Sequence, residues 1–290
     1  MNNEWLFAPG HGLCAGCAIP IIVKNILSIS GKNTIVVNAT GCLEVATTEY
    51  PRTAWRIPWV HVAFENIAAV ASGIEAAMKA KGEKANIICF GGDGGTADIG
   101  MQALSGMVER GHNVLYVMYD NEAYMNTGIQ RSGATPYGAW TTTSQVGRAN
   151  PIGNLRPKKP VANIMVAHNA KYVATANIAF IRDFNKKVKK ALEYEGPKFL
   201  HAISGCPTGW RADPSKTIEI LKLATETGLF PLWESEDGKE IKITYKPKFL
   251  PVEEYLKMQG RFRHLLKNPE YIEKMKKSIR NWWKEHGIEI

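Results

Sequence analysis

The sequence predicts an α/β protein with a mostly parallel sheet that is flanked by helices. Short apolar runs with strand character alternate with segments whose apolar residues recur at helical spacing, the arrangement typical of parallel strands joined by helices. The chain has 290 residues, of which 45% are hydrophobic, so it is long enough to bury one large core or two small ones. No internal repeat and no low-complexity segment interrupts this pattern.

The elements before residue 235 follow from these two patterns. Helices are predicted at residues 19–29, 67–79, 98–109 and 183–194, and strands at residues 34–38, 86–90, 114–119, 171–175 and 199–203. Residues 134–159 are rich in Gly, Pro, Ser and Thr without a clear period, which predicts a long ordered loop. Loops of this length in a compact domain are often functional.

The pattern changes near residue 235. A charged hairpin is predicted at residues 238–246, followed by two polar helices at residues 252–266 and 271–286. We therefore expect one domain over residues 1–234. A C-terminal hairpin and helical extension, residues 235–290, is expected to pack on this domain or on a partner subunit.

Charge and hydropathy narrow the classes of function. The formal net charge is +9 and the pI is near 9.2, which favours anionic partners such as nucleic acid, a membrane, a diphosphate cofactor or an acidic redox protein. No nucleic-acid-binding motif accompanies this charge, so we expect no nucleic-acid partner. No apolar run approaches the ~20 residues of a membrane helix, and residues 1–10 lack the features of a signal peptide. A cytoplasmic protein with reduced cysteines and no membrane partner is expected.

A glycine-rich turn follows the strand predicted at residues 86–90. Residues 91–96 read Gly-Gly-Asp-Gly-Gly-Thr and lead into a helix. Glycines at such a turn let backbone N–H groups approach a phosphate closely, and the helix N-terminus adds partial positive charge. Asp93 within the turn favours a hard cation, Mg²⁺, which would bridge the protein to diphosphate oxygens. The turn matches neither a Walker A loop nor a dinucleotide fingerprint.

A second polar turn follows the strand predicted at residues 114–119. Residues 120–127 read Asp-Asn-Glu-Ala-Tyr-Met-Asn-Thr. The carboxyl ends of parallel strands meet at one edge of a sheet, where ligands bind. We therefore expect the side-chain oxygen of Asn121 and the carbonyl oxygen of Ala123 to face the same Mg²⁺ as Asp93.

The cysteines divide into two kinds. Cys14 and Cys17 form a Cys-x-x-Cys pair, and Cys42 and Cys206 also lie in turn-like segments, whereas Cys89 lies mid-strand and is predicted to be a core residue. The four turn cysteines fit a zinc site or an iron–sulfur cluster, and their spacing leaves both open. A redox pair of the first two would leave the other two unexplained.

The motifs taken together resemble those of 2-oxoacid:ferredoxin oxidoreductases, and of the pyruvate enzymes in particular. A Gly-Asp-Gly turn, a helix, a strand and an Asn-containing turn resemble the thiamine diphosphate motif. The resemblance extends over most of residues 9–210 and returns at residues 253–260. Its most specific strings are residues 120–135, the Thr-Gly-Cys of residues 40–42, and the Trp-Val-His-Val-Ala-Phe-Glu-Asn of residues 59–66.

This resemblance implies the β subunit of an enzyme that oxidatively decarboxylates a 2-oxoacid. Pyruvate and coenzyme A would give acetyl-CoA, CO₂ and reduced ferredoxin, with thiamine diphosphate as electron sink and one [4Fe–4S] cluster as electron acceptor. Asn126 would donate a hydrogen bond to the substrate oxyanion. The resemblance implies cofactor contacts from Gly41, Cys42, Gly92, Asp93, Gly94, Gly95, Asn121, Ala123, Tyr124 and Asn126. It implies Asp93, Asn121 and Ala123 as Mg²⁺ ligands and Cys14, Cys17, Cys42 and Cys206 as cluster ligands.

The resemblance also implies partners and leaves alternatives open. Thiamine enzymes need a glutamate against the aminopyrimidine ring, and in multi-subunit members it lies on another chain, so Glu44 and Glu65 are candidates here only by residue type. An α subunit that supplies this glutamate, a small ferredoxin-like subunit and ferredoxin are expected partners, and the chain alone should be inactive. The alternatives are oxalate or a branched-chain 2-oxoacid as substrate. A zinc-stabilised anion-binding protein is the alternative from another class.

Overall fold

An eight-stranded sheet runs through the centre of the computed structural model, which describes residues 5–290. Residues 1–4 lie outside the described residues, and so does that part of the expectation about a signal peptide at residues 1–10. The strand order is β2-β1-β3-β4-β6-β5-β7-β8. The strands are β1 (Thr34–Ala39), β2 (Trp59–Val62), β3 (Asn86–Gly92), β4 (Val114–Asp120), β5 (Tyr172–Asn177), β6 (Lys198–Ile203), β7 (Leu232–Glu236) and β8 (Lys242–Tyr245).

The first six strands are parallel, and β7 and β8 pair antiparallel at one edge. Every residue of β4, β5 and β6 is buried, because helices cover both faces of the sheet. The helices are α1 (Ile19–Ser30), α2 (Cys42–Val45), α3 (Ile67–Ala80), α4 (Met101–Glu109), α5 (Val161–Ala167), α6 (Ile181–Glu193), α7 (Pro207–Trp210), α8 (Thr217–Glu226), α9 (Val252–Lys257) and α10 (Pro269–Glu285). The predicted α/β class with a mostly parallel sheet is confirmed.

Two apolar cores lie on opposite faces of this sheet. One contains α1, α6 and α8 and includes Ile22 and Phe184, and the other contains α3, α4 and α5 and includes Leu104 and Met165. None of the helices within residues 5–290 combines the length and the apolar composition needed to cross a membrane.

The predicted strands and the helices at residues 19–29, 67–79 and 183–194 are confirmed, with ends that shift by at most two residues. The helix predicted at residues 98–109 differs, because a π-helical turn, Gly95–Ile99, precedes α4. The helix predicted at residues 252–266 is wrong beyond residue 257. The chain turns there because Gly260 packs on Arg211, where a Cβ at residue 260 would lie 2.8 Å from the Arg211 Cβ. The short edge strand β2 and helices α5 and α8 were not predicted.

The predicted loop is irregular but well packed. Between β4 and α5, within the described residues, the chain forms no helix or strand apart from isolated bridges. Asn154, near the end of this loop, is buried, and its amide nitrogen donates to the carbonyls of Thr135 and Pro136 at 2.8 and 3.1 Å. A loop fixed in this way can hold side chains in place under a site.

The C-terminal part continues the sheet. The expected boundary after residue 234 falls inside β7, and β8 extends the same sheet through the hairpin. Helix α10 then packs back on the chain through Trp283, which is fully buried and donates to the carbonyl of Gly228 at 2.9 Å. The division at residue 234 therefore stays a prediction about how the chain is organised.

Candidate active site

A cavity of about 220 Å³ opens at the carboxyl ends of β1, β3 and β4. These strands are direct neighbours, and the end of β3 is in register with the end of β4 through Gly92 and Tyr119. The turns that follow them therefore meet at one edge of the sheet. The cavity is lined by every residue predicted to contact the cofactor, namely Gly41, Cys42, Gly92, Asp93, Gly94, Gly95, Asn121, Ala123, Tyr124 and Asn126.

Three side-chain or backbone groups converge at the floor of this cavity. One terminal atom of the Asn121 amide lies 2.9 Å from Oδ1 of Asp93 and 3.0 Å from the carbonyl oxygen of Ala123. With the amide nitrogen in this place, it donates to both oxygens. With the amide oxygen there, three oxygen atoms face one another, and such an arrangement needs a cation between them.

The environment of Asp93 also favours a cation. Its side chain is 1% exposed, and one carboxylate oxygen accepts a 2.5 Å hydrogen bond from the hydroxyl of Ser132. Burial, and then the negative charge of Asp120, raise the pKa of Asp93 well above its ordinary value. A bound divalent cation would offset both effects and keep the carboxylate ionised.

Two glycines of the site have no room for a side chain. A Cβ at Gly94 would lie 2.3 Å from the ring of Tyr124, whose hydroxyl donates to Asp98 at 2.8 Å. Gly41 has φ +156°, and a Cβ there would lie 2.9 Å from the hydroxyl of Tyr119. Both glycines therefore let an aromatic wall stand directly beside the cavity.

Asn126 lies on a small closed loop at the mouth of the cavity. The amide of Ile129 donates to the carbonyl of Tyr124 at 2.9 Å, and the amide of Tyr124 donates to Gln130 at 2.8 Å. The side chain of Asn126 is exposed and makes no hydrogen bond with any part of the chain that the structure describes. Its amide is thus free to reach a ligand, which a residue that caps its own loop is not.

Sequence reasoning missed other residues of the site. The hydroxyl of Tyr119 lines the cavity, is buried and makes no well-formed hydrogen bond within residues 5–290. Phe64 forms a further wall, and Ser132 supports Asp93 from below. Tyr119 occupies the last position of the predicted strand at residues 114–119. Its place at the carboxyl end of a parallel strand could therefore have indicated that it lies near the ligand. Nothing in the sequence indicates the contact of Ser132.

The turn cysteines lie on segments that are tied together. The amide of Ala18, next to Cys17, donates to the carbonyl of Gly205, next to Cys206, at 3.1 Å. The amide of Gly12 donates to the carbonyl of Ala46, at the end of α2. These bonds link the Cys-x-x-Cys turn to the segments that carry the other two cysteines.

The four thiols also affect one another electrostatically. Burial, and then the other three thiols, raise the pKa of Cys17 to about 12. Burial, with Cys206, Cys14 and Asp93, raises the pKa of Cys42 to about 12. A cationic metal centre would be needed for these groups to exist together as thiolates. Cys42 also lines the cavity, so the four turn cysteines adjoin the same cavity as the glycine-rich turn.

The thiols do not converge as the ligands of a single ion do. Among the described residues, no three His, Cys, Asp or Glu side chains are gathered closely enough to hold one metal ion. Cys89 is fully buried in the sheet away from this group, as predicted.

The candidate glutamates lie outside the cavity lining, as do His11 and His61. Neither Glu44 nor Glu65 contributes to the described lining. His61 contacts the hydroxyl of Thr40 at 2.7 Å, and its side chain is 42% exposed. His11 packs against Phe7, with ring centroids 5.3 Å apart, and burial lowers its pKa.

Comparison with known proteins agrees with this site. A model of the family "Thiamine pyrophosphate enzyme, C-terminal TPP binding domain" matches residues 39–202, which include both polar turns. A 2-oxoglutarate:ferredoxin oxidoreductase from Magnetococcus marinus, solved with 2-oxoglutarate, coenzyme A and succinyl-CoA bound, has the same fold. Its TM-score is 0.58 at 21% identity, and the match covers 77% of this chain and 81% of that one. The class is thus that of the thiamine-dependent enzymes.

Two curated relatives narrow the class. Pyruvate synthase subunit PorB of Methanocaldococcus jannaschii is 59% identical over 286 residues, covering 96% of this chain and 95% of the relative. Ketoisovalerate oxidoreductase subunit VorB of Pyrococcus furiosus is 48% identical, covering 96% of this chain and 91% of the relative. The chain belongs to the PorB family of thiamine-diphosphate-dependent 2-oxoacid:ferredoxin oxidoreductase subunits. The predicted family is confirmed, and the alternative of a zinc-stabilised anion-binding protein is not retained.

Proposed function

We propose that this chain, assembled with its partner subunits, converts pyruvate, coenzyme A and two oxidised ferredoxins to acetyl-CoA, CO₂, two reduced ferredoxins and a proton. Support for pyruvate comes from the relatives, because the PorB sequence is more similar to this chain than the VorB sequence is. The observation that carries the proposal is the shared wall of the cavity. Cys42 is one of the four turn cysteines, and it lines the same cavity as the glycine-rich turn.

The cavity residues fit thiamine diphosphate with Mg²⁺. When bound, the thiamine ring would supply the electron sink for loss of CO₂. Asp93 and Asn121 would hold the cation together with the carbonyl of Ala123, the three groups whose oxygens meet at the floor. Gly92, Gly94 and Gly95 would bring the backbone close to the diphosphate, and Gly41, Cys42 and Tyr124 would complete the cofactor contacts.

Asn126 would act on the substrate. Its unpaired amide at the mouth of the cavity can donate to an oxyanion, the charge that develops on the keto oxygen. The hydroxyl of Tyr119, which has no well-formed partner among the described residues, offers a second donor deeper in the cavity. Phe64 would provide an apolar surface along that wall.

We assign one [4Fe–4S] cluster to Cys14, Cys17, Cys42 and Cys206. The reaction releases two electrons, and a cluster accepts them one at a time. The backbone bonds that tie the three cysteine-bearing segments together support a shared centre, and the family of this chain favours a cluster over a single zinc ion. Since Cys42 also lines the cavity, electrons would travel only a short distance from the cofactor.

Partner subunits would complete the enzyme. An α subunit would supply the glutamate that neither Glu44 nor Glu65 provides, and a small ferredoxin-like subunit would relay electrons to ferredoxin. We propose the cytoplasm as the location, because Cys14 is exposed and a cluster ligand needs reducing surroundings. No nucleic acid and no membrane are proposed as partners.

A substrate panel on the intact anaerobic complex tests this function. Pyruvate, 2-oxoisovalerate and oxalate would each be supplied with and without coenzyme A, while CO₂, acyl-CoA and reduction of ferredoxin are followed. We expect the highest kcat/KM for pyruvate, with sustained turnover only when coenzyme A is present. A higher kcat/KM for 2-oxoisovalerate, or oxalate oxidation that needs no coenzyme A, would instead select one of the alternative substrates.

Asn126→Ala should lower turnover more than cofactor affinity. Loss of an oxyanion donor typically costs ~10²–10³ in kcat, and this side chain makes no bond within the described residues that its removal would break. Steady-state kinetics and thiamine diphosphate calorimetry on the complex would separate the two effects. Asn281→Ala, the same change at an exposed position of α10 outside the cavity lining, is the control. A loss of thermal stability without a loss of kcat per folded complex would show a structural role for Asn126.

The anaerobically purified complex should carry a cluster on this chain. We expect the β subunit, separated from the complex without oxygen, to retain iron and sulfide and to show broad visible absorption that bleaches on reduction. Zinc in place of iron, with no visible absorption, would remove the cluster assignment and leave the cofactor site as the only supported part of the proposal.

A further inference from the structure

One buried arginine of the C-terminal extension reaches the turn that carries the proposed Mg²⁺ ligands. Arg261 is 2% exposed, and its guanidinium donates to Oε2 of Glu122 at 2.5 Å. Glu122 is itself 4% exposed and lies between Asn121 and Ala123 in the sequence. The contact between Arg261 and Glu122 therefore lies next to the floor of the cavity, although the two residues are far apart in the chain.

Glu122 has an unusual backbone conformation that its carboxylate contacts can maintain. Its φ is +73°, in the left-handed region that non-glycine residues seldom occupy. The carboxylate is held at both oxygens, by Lys158 at 2.7 Å and by Arg261. Because the backbone turns at this residue, the same conformation aims the side chain of Asn121 and the carbonyl of Ala123 at Asp93.

The guanidinium also supports the neighbouring residue through an aromatic ring. It lies over the ring of Trp210, 4.2 Å from the centroid. The indole N–H of Trp210 donates to the carbonyl of Asn121 at 2.9 Å. The backbone of Asn121 is therefore fixed from the side opposite to the cavity by a residue that packs on Arg261.

Arg261 is held by its own segment. Its Nε and Nη2 donate to the side-chain oxygen of Gln259 at 3.0 and 2.7 Å, and Nη2 also lies 3.2 Å from the hydroxyl of Tyr255. The short α9 segment and the turn after it are buried around these residues, with Leu256 and Phe262 fully buried. The arginine is thus preorganised and is not a flexible surface side chain.

The same charge lies near one of the proposed cluster ligands. Trp210 ends helix α7, whose first turn is capped by the sulfur of Cys206, which accepts from the amide of Gly209 at 3.4 Å. The guanidinium packs on the ring of Trp210 and thus lies beside the short helical turn that begins at Cys206. The buried guanidinium of Arg261 therefore lies between the turn that carries Glu122 and the turn that carries Cys206.

We propose that Arg261 is a positioning residue for both centres of this subunit. It fixes Glu122 so that the oxygens of Asn121 and Ala123 face the cation, and it places a positive charge beside the turn that carries Cys206. This inference rests on the proposed thiamine diphosphate, Mg²⁺ and cluster sites. It makes the C-terminal extension part of the active site through contacts on the far side of the turn.

Arg261→Gln in the assembled complex tests both parts. We expect the Mg²⁺ concentration needed for half-saturation with thiamine diphosphate, measured by calorimetry, to rise roughly 10- to 100-fold, as when a group that orients a metal ligand is lost. The cluster potential, measured by a redox titration followed by electron paramagnetic resonance, should become more negative, because a nearby positive charge favours the reduced cluster. Arg263→Gln, two residues away and exposed, is the control and should change neither quantity.

Arg261→Lys separates geometry from charge. It keeps the positive charge of the side chain but loses the guanidinium fork that contacts Glu122 and Gln259 together. The Mg²⁺ concentration needed for half-saturation should therefore still rise, while the cluster potential stays near that of the unmodified complex. If Arg261→Gln does not assemble, Arg261→Lys decides the outcome, and a normal Mg²⁺ dependence there overturns the proposal. An unmodified complex that lacks cofactor or cluster would overturn the proposed function instead, since the variants are compared only with a loaded complex.

Discussion

Asp93→Ala should abolish Mg²⁺-dependent binding of thiamine diphosphate. The carboxylate is the only charged group among the three whose oxygens meet at the cavity floor, so without it the cation has two neutral ligands. The diphosphate then loses its bridging cation. We expect calorimetry of the anaerobic complex to detect no binding, and the unmodified complex should behave in the same way when Mg²⁺ is chelated.

The fold should survive this change. Asp93 lies at the edge of the sheet, and its removal eliminates the cost of a buried carboxylate beside Asp120. Asp93→Asn is the sharper variant, because it keeps the volume and an acceptor for Ser132 while it removes the charge. Asp237→Asn, which changes an exposed aspartate in the same way, should leave the affinity unchanged. Normal thiamine diphosphate affinity in both Asp93 variants would remove this residue from the site.

The floor of this site could be predicted because it depends on one rule of topology. Asp93 and Asn121 follow neighbouring parallel strands, and parallel strands deliver their carboxyl ends to the same edge. The prediction needed only that β3 and β4 be recognised as consecutive apolar runs. The glycine-rich turn could be read for the same reason, since a strand followed by glycines and a helix is a local pattern.

The groups that support the floor could not be predicted in this way. Ser132 reaches Asp93 from the irregular loop, and Arg261 reaches Glu122 across 139 positions of the chain. Such contacts depend on how a loop and an extension fold back, which no periodicity records. The predicted helix over residues 252–266 shows the same limit, because its end is set by packing of Gly260 on Arg211 rather than by its own sequence pattern.

The cysteine site could be predicted only in part. Their residue type and turn-like setting indicated a shared centre, and Cys89 could be separated from them because it lies within an apolar strand. Their spacing did not distinguish a zinc ion from a cluster. That distinction depends on how the thiols are arranged in space on three separate segments and on the metal that is bound, and the spacing along the chain records neither.

Cys206→Ser should deplete the cluster although it lies far along the chain from Cys14, Cys17 and Cys42. The sulfur caps helix α7 by accepting from the amide of Gly209, and a serine hydroxyl is a favourable replacement in that role. The change therefore removes a soft ligand and keeps the local fold. Three thiolates leave one iron dependent on solvent or a weak oxygen ligand, so iron and sulfide per chain should fall well below the unmodified values.

Cys89→Ser is the matched control, because it makes the same atomic change at a fully buried position within β3. It should leave iron and sulfide unchanged and lower the free energy of unfolding by roughly 1–3 kcal/mol, since it places a hydroxyl among apolar neighbours. Both variants would be purified without oxygen as complexes and compared for metal content, ferredoxin reduction and thermal unfolding. A full cluster in the Cys206 variant, or a missing one in the Cys89 variant, would overturn the ligand assignment and return the zinc site and the Cys14–Cys17 redox pair as explanations.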